Sequence, residues 1–341
     1  MLDSAAQHRA HNVAHNAPRN RACTVCRTRV HGSARPTVRN MTSPRVVAIA
    51  NGKGGVGKTS ITCNVGAMAA AGGLRVLLID WDPQGNMARD LGYERSNGDE
   101  VVGALTTRAQ LPVLQDVRPN LDVVPGGPAL IDIVSFAWSR QQRDPNDTLG
   151  RMLETSLNEL VNNYDLVMID TPPGDAPLIE AALRVAGSLV IPTKVDEGSL
   201  DGLEMIAQRF QAARNENPDL RLAGVVLFDV EQHATRMDRE ARETIAGMIG
   251  DTAPVFSARI RHLASAGRDS RLNGKLIHEL EELVPQEAKA RLDALRRGEE
   301  VPRGRITVRD ASGLAQDYQE LAFQLLDRIA QLEHEAKRGV A

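Results

Sequence analysis

Gly52, Gly57, Lys58 and Thr59, within VVAIANGKGGVGKTS (46–60), have the types and spacing that bind nucleotide phosphate. Glycines let backbone N–H groups converge on phosphate oxygens, and a helix beginning near Lys58 adds the favourable field of its N-terminus. Lys58 would neutralise the β- and γ-phosphates, and Thr59 would place its hydroxyl on Mg2+. The run Gly52, Lys53, Gly54, Gly55, Val56, Gly57, Lys58, Thr59 and Ser60 is the candidate cradle. Lys53 is surplus to it, because G-x-x-x-x-G-K-[ST] accepts almost any residue at that place.

Two further stretches supply acids. RVLLIDWDPQGN (75–86) ends a strand-like run in Asp80 and Asp82, and alternate strand residues share a face, so both carboxylates project toward one edge. There they can organise Mg2+ and a water. YDLVMIDTPPG (164–174) ends in Asp170, the expected metal acid, and Pro172, Pro173 and Gly174 form a turn able to sense a γ-phosphate. One acid alone could be a cap or a turn residue; three strand-end acids around one phosphate loop could not all be.

The elements that must position these groups follow from residue 45 onward, where β-branched apolar runs alternate with helical patterns. Strands are expected at 45–51, 75–80, 121–126, 164–170, 188–193, 222–228 and 254–260, and helices at 58–71, 147–162, 176–186, 199–215 and 235–249. Asp147, Ser199 and Thr235 are the expected caps. The fold class is α/β: a mostly parallel twisted sheet with helices on both faces, of the phosphate-loop NTPase kind. Residues 41–279 form the nucleotide domain, 280–311 a charged helical insertion or linker, and 312–341 a closing helix with Leu314, Tyr318, Leu321, Leu325, Ile329 and Leu332 at helical spacing.

The first forty residues contain one acid, Asp3, many arginines and no apolar rhythm, which predicts a disordered basic arm. Met41 offers an alternative start. Cys23 and Cys26, even with His11 and His15, are a lone C-x-x-C without the second pair a zinc site needs. Cys63, among apolar neighbours on the first helix, reads as core. The chain of 341 residues is 42% hydrophobic and 25% charged with net charge −3. Its aromatic content of 3% argues against a stacking platform for single-stranded nucleic acid. No apolar run reaches the ~20 residues of a membrane span or forms a signal-peptide core, so a reducing, cytoplasmic setting is expected.

Together KGGVGKT, DWDPQGN and DTPPG resemble the ParA/MinD family of deviant Walker A ATPases, and DPQGN looks most like its ParA partition branch. The resemblance covers roughly residues 45–275 plus DYQELAFQLLDRI in the last helix. It implies ATP and Mg2+ as cofactors, with Lys53 reaching across a homodimer to the phosphates of the other subunit. It implies that Asp82 positions the attacking water, that Asp80 supports Mg2+ and that Asp170 holds the metal through water. Lys53, Lys58 and Asp82 are thus the expected catalytic residues, and Thr59, Asp80 and Asp170 the metal residues. Hydrolysis is expected to be slow until a partner completes the site.

TKVD (193–196) imitates a guanine reader but follows the strand immediately after Asp170, one strand too early, so ATP is favoured. Pro192 and Lys194 are read as a turn lining the subunit interface. Phe228 departs from the Thr or Asn that the family often has there, which leaves the base contacts open. A nucleoid-associated partition ATPase would bind non-specific DNA and a ParB-like DNA-binding activator. Its candidate phosphate contacts are Arg259, Arg261, Arg268, Arg271 and Lys275, opposed only by Asp269. The alternatives are a MinD-like membrane-cycling regulator and a ParA-like positioner of another cargo, for which 280–311 would be a docking insertion. A membrane role is disfavoured because Asp317, Glu320, Asp327, Glu333 and Glu335 surround the apolar stripe of the tail. A single phosphate loop, no cysteine after Cys63 and 3 tyrosines disfavour tandem metal pumps, iron–sulfur reductases and tyrosine kinases of this fold.

Overall fold

The structure is a computed structural model. It describes residues 43–231, 235–250, 253–297 and 306–339, with the side chains of 197–201 and 235 left aside. The basic arm with Cys23 and Cys26, Met41, and part of the expected linker lie outside the described residues.

The elements run β1 (Val46–Ile49), α1 (Lys58–Ala71), β2 (Val76–Asp80), α2 (Met87–Leu91), α3 (Asp99–Thr107), β3 (Leu114–Arg118), β4 (Leu121–Val124), α4 (Leu130–Gln141) and α5 (Leu149–Leu157). They continue with β5 (Leu166–Asp170), α6 (Ala176–Val185), β6 (Ser188–Thr193), α7 (Glu197–Ala213), β7 (Arg221–Val230), α8 (Thr235–Ile249), β8 (Val255–Arg261), α9 (Ala264–Asn273), α10 (Ile277–Arg297) and α11 (Ser312–Lys337). Among the described residues eight strands form one sheet in the order β3-β4-β2-β5-β1-β6-β7-β8. The neighbours pair in parallel, save antiparallel β3 and β4 at one edge.

Parallel strands covered on both faces read as continuous apolar runs, and β1 and β5 are buried throughout. Val47 and Ile49 of β1 enter a core shared with Ile61 and Val65 of α1 and with Tyr318, Leu321, Leu325 and Ile329 of α11. Val46 and Ala48 point to the opposite face, toward α5, α6 and α7. β1 sits between β5 and β6, where the chain changes direction across the sheet. The crevice at the carboxyl ends of these strands is therefore the natural ligand site.

Several expectations need correction. The helix expected at 147–162 is α5 followed by a short 3-10 turn, Leu160–Asn163. Its cap is Thr148, which accepts from the Arg151 amide, whereas Asp147 pairs with Arg108 and Arg140. Helix α7 starts at Glu197 rather than after Ser199. Residues 264–273, for which the sequence indicates no element, form helix α9, and α10 begins before the expected insertion.

Candidate nucleotide site

The loop leaving β1 is shaped by a side chain that motif matching ignores. Asn51, fully buried, donates through Nδ2 to the Pro192 carbonyl at 2.7 Å, while its Oδ1 accepts from the Lys53 amide at 2.9 Å. Gly55 and Gly57 are left-handed, with φ of 73° and 84°, and a Cβ on Gly57 would meet the Phe228 ring at 2.2 Å. Gly57 therefore has two reasons to lack a side chain: backbone conformation and a crowding aromatic. Lys58 opens α1 and folds back over the loop, its Nζ donating to Lys53 O at 3.0 Å and to Asn51 O at 3.3 Å. Burial pulls its ammonium below the ordinary lysine value, against the opposing pull of Asp170 and Asp82.

Two of the three acids come together by strand register. Asp80 of β2 stands opposite Asp170 of β5, and Asp170 opposite Ile49 of β1, directly before the phosphate loop. Asp80 accepts from the amides of Asp82 at 3.3 Å and Met87 at 3.2 Å, yet burial pushes its carboxyl up to about 7. Asp170 is fully buried and both of its oxygens lack a hydrogen-bond partner. Burial, with Asp80 second, holds it well above the usual carboxylate range although the Thr59 hydroxyl favours its charge. Asp82 is also raised by burial, and it accepts from the Gln84 amide at 2.9 Å. Between them Trp81 is buried and anchors the segment by donating from Nε1 to Leu178 O at 2.9 Å.

An orphaned, fully buried carboxylate beside a second acid and a threonine hydroxyl is a donor set that fits a cation. Thr59, Asp80 and Asp170 are hard oxygen donors, which suits Mg2+ held jointly with phosphate and water. Among the described residues no group of three or more His, Cys, Asp or Glu forms a protein-only metal cage.

Asp80 makes this region pH-sensitive. A native carboxyl raised from 3.8 to about 7 binds more protons than the unfolded chain does between those values. The nucleotide-free protein should therefore lose stability as pH rises from about 4 to 7. Asp80→Asn is expected to reduce that slope in urea denaturation at several pH values, leaving the part due to Asp170 and Asp82. An unchanged slope would remove Asp80 as its source.

The DTPPG turn reaches the loop: a Cβ on Gly54 would lie 3.7 Å from Pro173, and Thr171 Oγ1 donates to Ile49 O at 2.9 Å. Lys53 behaves unlike Lys58. Its Nζ lies on the rim, 2.5 Å from Asp196 Oδ1, with side-chain exposures of 33% and 49%. The PTKVD segment (192–196) is thus divided: the Pro192 carbonyl holds Asn51, Lys194 bonds Asp229 at 2.6 Å, and Asp196 holds Lys53. Met205 of α7, missed in the sequence because its helix is distant in the chain, lies against Gly52, its Sδ 3.0 Å from a Cβ built there.

The basic set splits. Arg261 forms a fork on Asp317 at 2.7 and 2.8 Å, and Arg259 bonds Asp238 at 2.8 Å. Arg271 faces Asp90 at 3.5 Å but stays 62% exposed. Arg268 is exposed and Lys275 half-buried. Asp269 does not oppose them, as had been expected; it is buried and accepts from Thr307 and Val308.

A family model described as an AAA domain (AAA_31) matches residues 44–222, which contain the phosphate loop and all three acids. The chain is 33% identical over 188 residues to the sporulation initiation inhibitor protein Soj of Bacillus subtilis, covering 54% of this chain and 72% of that protein. The chromosome partitioning protein ParA of Caulobacter vibrioides is 32% identical over 209 residues, covering 59% of this chain and 76% of that protein. The chain belongs to the ParA/MinD family of deviant Walker A ATPases. An ATP complex of a Cyanothece McdA variant shares the fold of this ParA/MinD protein with a TM-score of 0.63 and 18% identity, covering 87% of this chain and 98% of that chain.

Proposed function

We propose that this ParA-like ATPase is a dimerisation switch. ATP with Mg2+ binds at Gly52–Ser60, two copies close over the bound nucleotides, and the dimer holds DNA without sequence preference. A ParB-like partner then stimulates a slow hydrolysis, and the cycle partitions plasmid or chromosome DNA. The observation that carries this reading is the different fate of the two loop lysines. Lys58 is turned into the loop of its own chain, whereas Lys53 is directed to the rim, beside Asp196.

Electrostatics gives the rim lysine a purpose. Two triphosphates brought face to face repel, each pair of unit charges ~10 Å apart costing ~1.7 kcal/mol at an effective dielectric constant of 20. A cation from each subunit offsets that repulsion, so ATP favours the dimer and loss of the γ-phosphate weakens it. Thr59, Asp80 and Asp170 would hold Mg2+, which supplies charge neutralisation at the phosphates. Asp82 orients water but is a weak activator by itself, consistent with turnover that waits for a partner.

DNA is favoured over a lipid surface by the use made of α11. Its stripe Leu314, Tyr318, Leu321, Leu325, Ile329 and Leu332 is buried in the core, and exposed Glu320 and Glu335 lie on its outer side. Among the described residues no helix is long and apolar enough to cross a membrane. The DNA face is assigned to α9 and the residue that follows its cap, through Arg268, Arg271 and Lys275. The test compares ATP-dependent retention on non-specific duplex DNA with co-sedimentation on anionic vesicles. The wild type should be held by DNA only, and Arg268→Glu with Lys275→Glu should lower the salt slope by about 2 without changing ATP affinity. Retention on vesicles alone would overturn the DNA reading.

A further inference from the structure

Behind the nucleotide motifs, a set of contacts joins them to the basic helix α9, and phosphate binding itself does not require it. Helix α2 begins directly after the Asp80–Asn86 segment, and its first amide, that of Met87, donates to Asp80 Oδ2 at 3.2 Å. Five residues rise only ~7.5 Å, so α2 is a short strut. Its far end is tied to α9 in three ways.

Gly92 and Gly274, both left-handed with φ of 73° and 59°, lie backbone to backbone. A Cβ on Gly274 would fall 2.4 Å from Gly92 Cα, so the approach tolerates no side chain. Asp90 of α2 is buried and faces Arg271 of α9 at 3.5 Å, and its Oδ1 has no hydrogen bond. The third tie is Arg118, at the end of edge strand β3. Its Nη1 donates to Leu91 O and its Nη2 to Gly274 O, each at 3.1 Å. Its Nε and Nη2 also grip Glu279 at 2.6 and 3.1 Å, and Glu279 in turn accepts from the Leu276 amide at 2.9 Å.

One guanidinium therefore gathers the C-terminal ends of α2 and α9 and the first turn of α10. Helix C-termini carry partial negative charge, and two of them converging here would repel without a cation between them. Lysine could neutralise both ends, but only the planar fork of arginine can bond two carbonyls and a carboxylate together.

We infer that Arg118 is a positioning residue that locks α9 to the nucleotide-reading segment, so that any shift of Asp80 on binding Mg2+ and ATP is carried to the face bearing Arg268 and Arg271. The inference rests on the ATPase reading but not on DNA being what that face holds. Coupling of this kind is established only when both ends respond together, so the test reads the remote end directly.

Hydrogen exchange of the amides of residues 264–274 is followed in the full chain, without and with ATP and Mg2+. In the wild type the nucleotide should slow exchange there about tenfold or more, within the usual range of coupling between sites. Arg118→Gln should bind ATP within about threefold of wild type yet lose that slowing, and Arg118→Lys should restore only part of it. If Arg118→Gln does not fold, Glu279→Gln, which removes the charge holding the guanidinium, should show the same loss. Equal slowing in the variants, or a wild type that binds ATP while α9 stays indifferent, would overturn the inference and leave the ATPase reading standing. A wild type that does not bind ATP would overturn both.

Discussion

Lys58→Ala is expected to abolish ATP binding while leaving the fold intact. Lys58 is buried, its ammonium lies within the loop at 3.0 Å from Lys53 O, and burial already disfavours its charge. Removing it relieves a desolvation cost in the empty protein, so thermal unfolding should be unchanged or slightly raised. Bound triphosphate would lose a desolvated, charge-assisted partner, a loss of ~3–5 kcal/mol when one half of a buried pair is deleted. At 1.4 kcal/mol per factor of ten this is roughly a hundred- to several-thousand-fold in affinity. Titration with a fluorescent ATP analogue reads the effect, and near-normal binding would show that the loop does not hold phosphate as described.

Asp82→Ala should have the second largest effect, on turnover rather than affinity. Asp82 is buried at the site, accepts one hydrogen bond from the Gln84 amide, and lies near enough to Lys58 to feel its charge. In the proposed function its carboxylate orients the attacking water, and loss of such a group typically costs ~100-fold or more. ATP should still bind, so the variant should accumulate as an ATP-bound dimer that stays on DNA. Phosphate release together with light scattering would show it. Turnover within a few-fold of wild type would exclude Asp82 from that role.

Much of this site was legible because its chemistry is written in contiguous residues at strand ends. The runs VVAI and LVMI are apolar throughout because each strand is buried on both faces, and they stop at the crevice where loop glycines and acids such as Asp170 begin. Strand β3 was not legible: LQDVR is an exposed edge, paired on one side only, and carries no apolar rhythm. Thr148 displaced Asp147 as a cap because two distant arginines claimed the aspartate. Remote pairing also hid the fate of Arg259 and Arg261, whose partners Asp238 and Asp317 lie 21 and 56 residues away. Asn51, Trp81 and Arg118 act through carbonyls brought close by the fold, and a carbonyl leaves no trace in residue type.

The two lysines of the loop were legible as a pair, and the fold separates them into one that faces inward and one that faces the rim. Light scattering of Lys53→Ala in ATP and Mg2+, under conditions in which the wild type is dimeric, tests that division most directly. The variant should bind ATP measurably and remain a monomer. ATP-dependent dimers of undiminished stability in Lys53→Ala would contradict a cation shared between subunits.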